Sequence, residues 1–295
     1  MGEYGLLVGI LLTFLSTASF ISSFRILWII LAIKRYRINK TFQILANIAF
    51  LECGQMLPSV IVGILLILQN PINVTMNNIL SSISMVCWFG LSPLRFSLAI
   101  NRVTTLLPIN PSSHFAFFKS SIWHLTLLFI SLLYVLFVSY ANIQESSGLL
   151  ISIELDTWIY VKETLTRKLD VCVTSILCLC SFVLYLITCL FLFKRSKSQS
   201  FTTANMVIEI RLLVAFIIAF FYEFGMIFAF FAATKFAINN LIVLRVLNVF
   251  FISLPLFNGI VLLVNSKNLR ESFFCIKPKH KTSVVVSTTC SNTRK

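Results

Sequence analysis

Glu52, Glu223, Arg25, Arg95, Arg245 and Asn258 all stand inside long runs of apolar residues. A charge at the centre of a bilayer costs at least about 2.5–3.5 kcal/mol, so each marks an ion pair, a polar path or a binding site. With about 1.5 Å of rise per helical residue, Arg25 lies roughly 13 Å above Lys34 and Glu52 roughly 15 Å into its run. Arg95 lies roughly 10 Å above Arg102 on the same face. These three share a depth, so either Arg25 or Arg95 is expected to pair with Glu52, with Asn258 able to join. Such a cluster acts either as a structural tie between helices or as a switch. A second set lies nearer the opposite ends of the runs. Glu223, Tyr222 and Arg245 stand there, with Trp88 and Phe89 roughly 21 Å above Arg102. They are expected to line a pocket with an apolar wall and a few polar groups. The alternative is that Glu223 and Arg245 neutralise each other while the aromatics pack. Enzyme chemistry has no foothold. His114, His124 and His280 are scattered, no HExxH occurs, and Cys178-Leu179-Cys180 lies in an apolar run. No catalytic residue, metal site or cofactor is expected.

The elements that must position these groups follow from composition. The chain has 295 residues, 58% hydrophobic and only 12% charged. Its mean hydropathy is +0.94. A soluble domain of this size cannot bury that much apolar surface, which leaves a polytopic membrane protein. Seven runs approach the ~20 residues a spanning helix needs: 6–33, 42–68, 79–107, 121–140, 169–193, 207–233 and 241–264. Nothing alternates with a period of two, so an all-α bundle of seven transmembrane helices is expected. The first run lacks a basic leader and is too long for a signal peptide core.

Charge then orients the bundle. The segments 34–41, 101–120, 194–206 and 265–295 hold 16 Lys and Arg, whereas 1–5, 69–78, 141–168 and 234–240 hold 4. By the positive-inside rule the N-terminus is outside and the C-terminus cytosolic. The net charge of +14 therefore faces anionic lipid, and no nucleic-acid partner is needed. The sequon Asn73-Val74-Thr75 falls outside and is a candidate for glycosylation, while Asn39-Lys40-Thr41 faces the cytosol. No Cys falls in an outer segment, so no extracellular disulfide is expected. Segment 141–168 is the longest outer one and is expected to cap the pocket.

Three motifs in order carry a resemblance. Asn47-Ile48-Ala49-Phe50-Leu51-Glu52 resembles the Asn-Leu-Ala-x-x-Asp signature of rhodopsin-like G-protein-coupled receptors. Asn101-Arg102-Val103 is similar to their Asp-Arg-Tyr box, in the Asn-Arg form common among nematode serpentine chemoreceptors. Leu254-Pro255-Leu256-Phe257-Asn258 stands where the family has Asn-Pro-x-x-Tyr. Residues 265–275 resemble the amphipathic helix that follows. The resemblance implies a receptor domain over 1–275 and a basic tail over 276–295. It implies a chemosensory receptor in the plasma membrane of sensory neurons or cilia. A small-molecule ligand would bind the outer half, and a heterotrimeric G protein would engage Arg102. Glu209 would be the resting partner of Arg102, unless it pairs locally with Arg211 or the basic residues of 194–197. Glu52 matches the family's sodium-linked acid, although Arg25 and Arg95 argue against sodium here. Cys275 is a candidate for palmitoylation. The departures are a missing disulfide, no Trp-x-Pro in the sixth run, and Asn258 in place of Tyr. A small-solute transporter or channel, with Arg25, Glu52 and Arg95 as its polar path, is the alternative.

Overall fold

The computed structural model describes residues 3–69, 73–106, 121–145, 149–152, 157–160, 165–198, 204–236 and 241–274. Its elements run α1 (Glu3–Ala32), the short α2 (Lys34–Ile38), α3 (Lys40–Ile67), α4 (Val74–Leu106) and α5 (Ser121–Glu145). A hairpin of β1 (Leu149–Ser152) and β2 (Thr157–Tyr160) follows. Then come α6 (Leu165–Leu169), a π-helical turn (Asp170–Thr174), α7 (Ser175–Ser198), α8 (Ala204–Phe236), α9 (Leu241–Asn265) and α10 (Lys267–Phe273).

Six helical stretches among the described residues are long and apolar enough to cross a membrane. They are Leu6–Ala32, Lys40–Ile67, Val74–Leu106, Arg167–Leu192, Ile210–Ala229 and Arg245–Asn265. Within α5 the described apolar stretch is the shorter Phe129–Tyr140. The bundle is inside-out relative to a soluble protein. Phe14, Trp28, Phe50, Phe129, Leu179 and Phe228 are each more than half exposed, while Ser16, Ser19, Ser23, Gln55 and Ser59 are buried. Lipid rather than water is the solvent for such a surface, and the chain is an integral membrane protein.

Contacts fix the helix directions. Antiparallel to α3, α1 places Thr13 against Gly63 and Ser23 against Glu52. α4 runs antiparallel to α3, with Gly54 against Cys87 and Thr41 against Asn101. α9 returns parallel to α1, since Ser19 Oγ donates to the Ile252 carbonyl at 2.9 Å and Ser22 meets Gly259. The closest seam is α1 on α3: a Cβ at Gly63 would collide with the Thr13 side chain and stand 2.9 Å from the Thr13 backbone nitrogen. Small residues permit this approach, the usual route to van der Waals contact where lipid offers no hydrophobic drive.

Two details depart from expectation. The hairpin, with Leu149 opposite Tyr160 and Ser152 opposite Thr157, makes the chain not purely helical. Four-residue strands are too short to show alternation, although Thr157, Trp158, Ile159 and Tyr160 are all strand formers. The hairpin packs against α4 and α9. The helix expected over 169–193 instead begins at Leu165 and passes through the π turn into α7. Both sequon asparagines are helix caps. Asn39 Oδ1 accepts from Thr41 N at 2.9 Å at the start of α3, and Asn73 Oδ1 accepts from Thr75 N at 3.1 Å at the start of α4. An Asn-x-Thr triplet is thus also a capping signal.

Candidate functional site

Five helices converge on Arg95 of α4. Its Nη1 donates to Glu223 Oε1 of α8, and its Nη2 stands 3.8 Å from Glu52 Oε1 of α3. Glu52 is held further by Ser23 Oγ of α1, which donates to Oε2 at 2.9 Å, and by Asn258 Nδ2 of α9, which donates to Oε1 at 3.1 Å. Both carboxylates are buried. Beside them lies a cavity of about 90 Å³, whose wall includes Ser92, Thr174, Ser181, Leu177 and Phe220. Ser92 Oγ and Asn258 Oδ1 are buried without a hydrogen-bond partner.

Glu52, Arg95 and Asn258 therefore meet as their spacing suggested, and Arg25 does not join them. Its Nε and Nη2 both donate to the Phe273 carbonyl at 3.3 Å, which ties α1 to the last turn of α10. Depth alone does not select a face: Ser23 looks toward Glu52, and a residue two positions on is rotated by about 200°. The cation meets the unsatisfied carbonyl end of a short helix instead.

The outer pocket expected from Trp88, Phe89, Tyr222, Glu223 and Arg245 is dispersed. Glu223 belongs to the Arg95 cluster. Arg245 lies on the α1-facing side of α9, with Val8, Leu11, Leu12 and Leu15 around it. Phe89 packs into the α4–α5 seam, edge-on to Tyr134 with Met85 and Val138. Trp88 and Tyr222 do share one cluster, with Met226, Ile227, Leu254 and Phe251. Tyr222 stacks on Phe257 at 4.3 Å and its hydroxyl meets Ser253 Oγ at 2.8 Å.

The reason Glu223 was placed too high is a register effect. Depth was counted from the outer edge of an apolar run, whereas the pairing of α8 with α4 sets the level. Phe216, twelve residues into α8, is level with Arg102, so about 18 Å of helix precedes that level. Arg95 and Arg102 are seven residues apart on α4, and Glu223 and Phe216 are seven apart on antiparallel α8. Two turns on each helix bring both pairs into register.

At that lower level Arg102 is fully buried, its guanidinium 4.9 Å from the centre of the Phe216 ring. Asn101 Nδ2 donates to Thr41 Oγ1 at 2.7 Å, and the Asn101 carbonyl accepts from Thr104 Oγ1 and Thr105 Oγ1. The Asn-Arg pair thus joins the start of α3, the end of α4 and α8. The Glu209 side chain lies outside the described residues, as does Cys275. The short helix α10, with Leu269 buried and Lys267 and Glu271 3.9 Å apart on its surface, matches the amphipathic segment expected there. Asn73 is exposed.

Sequence reasoning missed Asp170. This buried carboxylate accepts from Trp88 Nε1 and from Thr174 Oγ1, each at 3.0 Å. A π turn adds a residue within the helix and re-aims the side chains around it, a feature frequent at functional sites. The usable signal was an indole N–H in an apolar run, which requires an acceptor when buried. Comparison with protein-family models and with curated proteins finds no match for this chain.

Proposed function

We propose that the chain is a G-protein-coupled chemosensory receptor of the nematode serpentine type. It crosses the plasma membrane seven times with the N-terminus outside. In this reading α5, with 25 residues, is the remaining span. The observation that carries the proposal is the facing of α4 and α8 at two levels. Arg95 is bound to Glu223 in mid-bundle, and Arg102 is packed on Phe216 near the end of α4. Movement of α8 changes both contacts at once, so a small molecule that biases the upper contact alters the lower one. The cytosolic end then opens to a heterotrimeric G protein, and lipids cover the apolar flanks. In this reading Asn73 carries a glycan and Cys275 a palmitoyl chain. The transporter alternative is weaker because Arg25 is engaged at α10, away from the polar path it would need.

The test is expression with a promiscuous G protein and a calcium readout against a panel of volatile and water-soluble compounds. A responsive ligand should lose its signal on Arg102→Ala with surface expression retained. Normal signalling by that variant removes the coupling role. Ligand-dependent current without any G protein supports a channel or transporter instead.

A further inference from the structure

The cavity beside Arg95 is unbalanced in charge and in hydrogen bonding. Two buried carboxylates, Glu52 and Glu223, face one guanidinium. Ser92, only 8% exposed, turns an unpartnered hydroxyl into the same space, and Asn258 Oδ1 is an unpartnered acceptor beside Glu52. Among the described residues, nothing positive beyond Arg95 lines the cavity. An anionic guest would meet two carboxylates, and the unpartnered donor among the lining groups, Arg95 Nη2, already lies 3.8 Å from Glu52. A cationic donor completes the set.

We propose that this cavity binds a small primary ammonium ion, the protonated form of a short aliphatic amine, with its head group between Glu223, Ser92 and Asn258. A primary ammonium has three N–H donors and no acceptor, which fits Glu223, Ser92 Oγ and Asn258 Oδ1, while Arg95 Nη2, a buried donor without a hydrogen-bond partner, stays 3.8 Å from Glu52. Leu98, Leu177, Phe216 and Phe220 form an apolar wall for the alkyl body. The volume of about 90 Å³ sets the size. It is below the ~150 Å³ of an engineered cavity that accepts benzene, so the guest has about three to five heavy atoms. A bare metal ion would need several oxygen ligands and would leave the apolar wall unused. The proposal deepens the receptor reading and rests on it only for the claim that the guest signals.

The full-length chain in lipid nanodiscs is heated in the presence of n-propylammonium chloride, sodium chloride at equal ionic strength, or 1-propanol. Propylammonium should raise the melting temperature with the logarithm of its concentration above its dissociation constant, by about 5 °C at a large excess. Sodium and 1-propanol should not. Glu223→Gln should raise the dissociation constant fitted from the shift at least tenfold. Ser92→Ala, which keeps every charged contact, should raise it several-fold, and this arm stands even if the Glu223 variant fails to fold. Absence of a shift overturns the proposal. So does an equal shift with 1-propanol, an equal shift with sodium (an inorganic cation site), or unchanged binding in Ser92→Ala. Binding without signalling would leave the site standing and reject the receptor. Signalling by other compounds with no amine binding would do the reverse.

Discussion

At the scale of single residues, the Arg95 cluster holds the largest electrostatic stake in the bundle. Removing the shared cation strands two buried carboxylates, so Arg95→Met should destabilise by about 3–5 kcal/mol. Glu223→Gln should cost less, because the amide oxygen still accepts from Arg95 and Glu52 remains 3.8 Å from the guanidinium. A double-mutant cycle on unfolding in mixed micelles should give a larger coupling for Arg95 with Glu223 than with Glu52. The reverse order would make Glu52 the principal counter-ion. Asp170 offers a second check. Asp170→Ala leaves the Trp88 indole without that acceptor and should cost about 1–3 kcal/mol, whereas Asp170→Asn should cost less than half as much. Equal losses would show that charge, not hydrogen bonding, matters there. Much of this cluster was legible beforehand: a carboxylate and an arginine at one depth in lipid must find counter-charges. Which arginine is used was not, because depth fixes height but not the face of the helix. Asp170 was missed because it stands one residue inside the expected run 169–193, where a carboxylate reads as lying at the membrane surface and not as buried.

At the scale of elements, the apolar runs mapped well onto helices because lipid forces every backbone amide into its own segment. The six long apolar stretches coincide with six of the expected runs to within a few residues at most ends. Packing faces were less legible, since large apolar residues fall on every side of α1. Its contact side is marked instead by Ser16, Ser19 and Ser23, each buried. The hairpin was illegible for a different reason, being shorter than the window in which alternation stands out. Two glycines separate packing from propensity. Gly63→Val should loosen the α1–α3 seam by about 1–3 kcal/mol, because the neighbouring backbone cannot retreat. Gly225→Ala meets nothing within 4 Å and should hold or raise the melting temperature, by up to about 1 kcal/mol of helix propensity. If Gly63→Val melts like the parent, α1 is not seated on α3 as described.

At the scale of the whole molecule, two independent asymmetries bear on how the bundle sits in the membrane. One is charge: the basic segments at 34–41, 194–206 and 265–295 share one side if every long helix crosses. The other is the burial pattern, which places the Asn101–Arg102 pair, α2 and α10 at one end of the bundle. Arg25 binds the last turn of α10 at that end, which ties the end of α10 to α1. Among the described residues, the end with the buried Arg102 also carries Lys34, Arg35, Arg37, Lys40, Lys267 and Arg270. The expected outcome follows. An epitope inserted after residue 280 should be reachable by antibody only after permeabilisation, and an N-terminal epitope on intact cells. A glycosidase-sensitive mass shift that disappears with Asn73→Gln would place the start of α4 on the outer side. If the tail epitope is labelled on intact cells, Arg102 faces away from any G protein. The receptor proposal then fails, while the helix packing and the amine site are untouched, since neither depends on which way the bundle points.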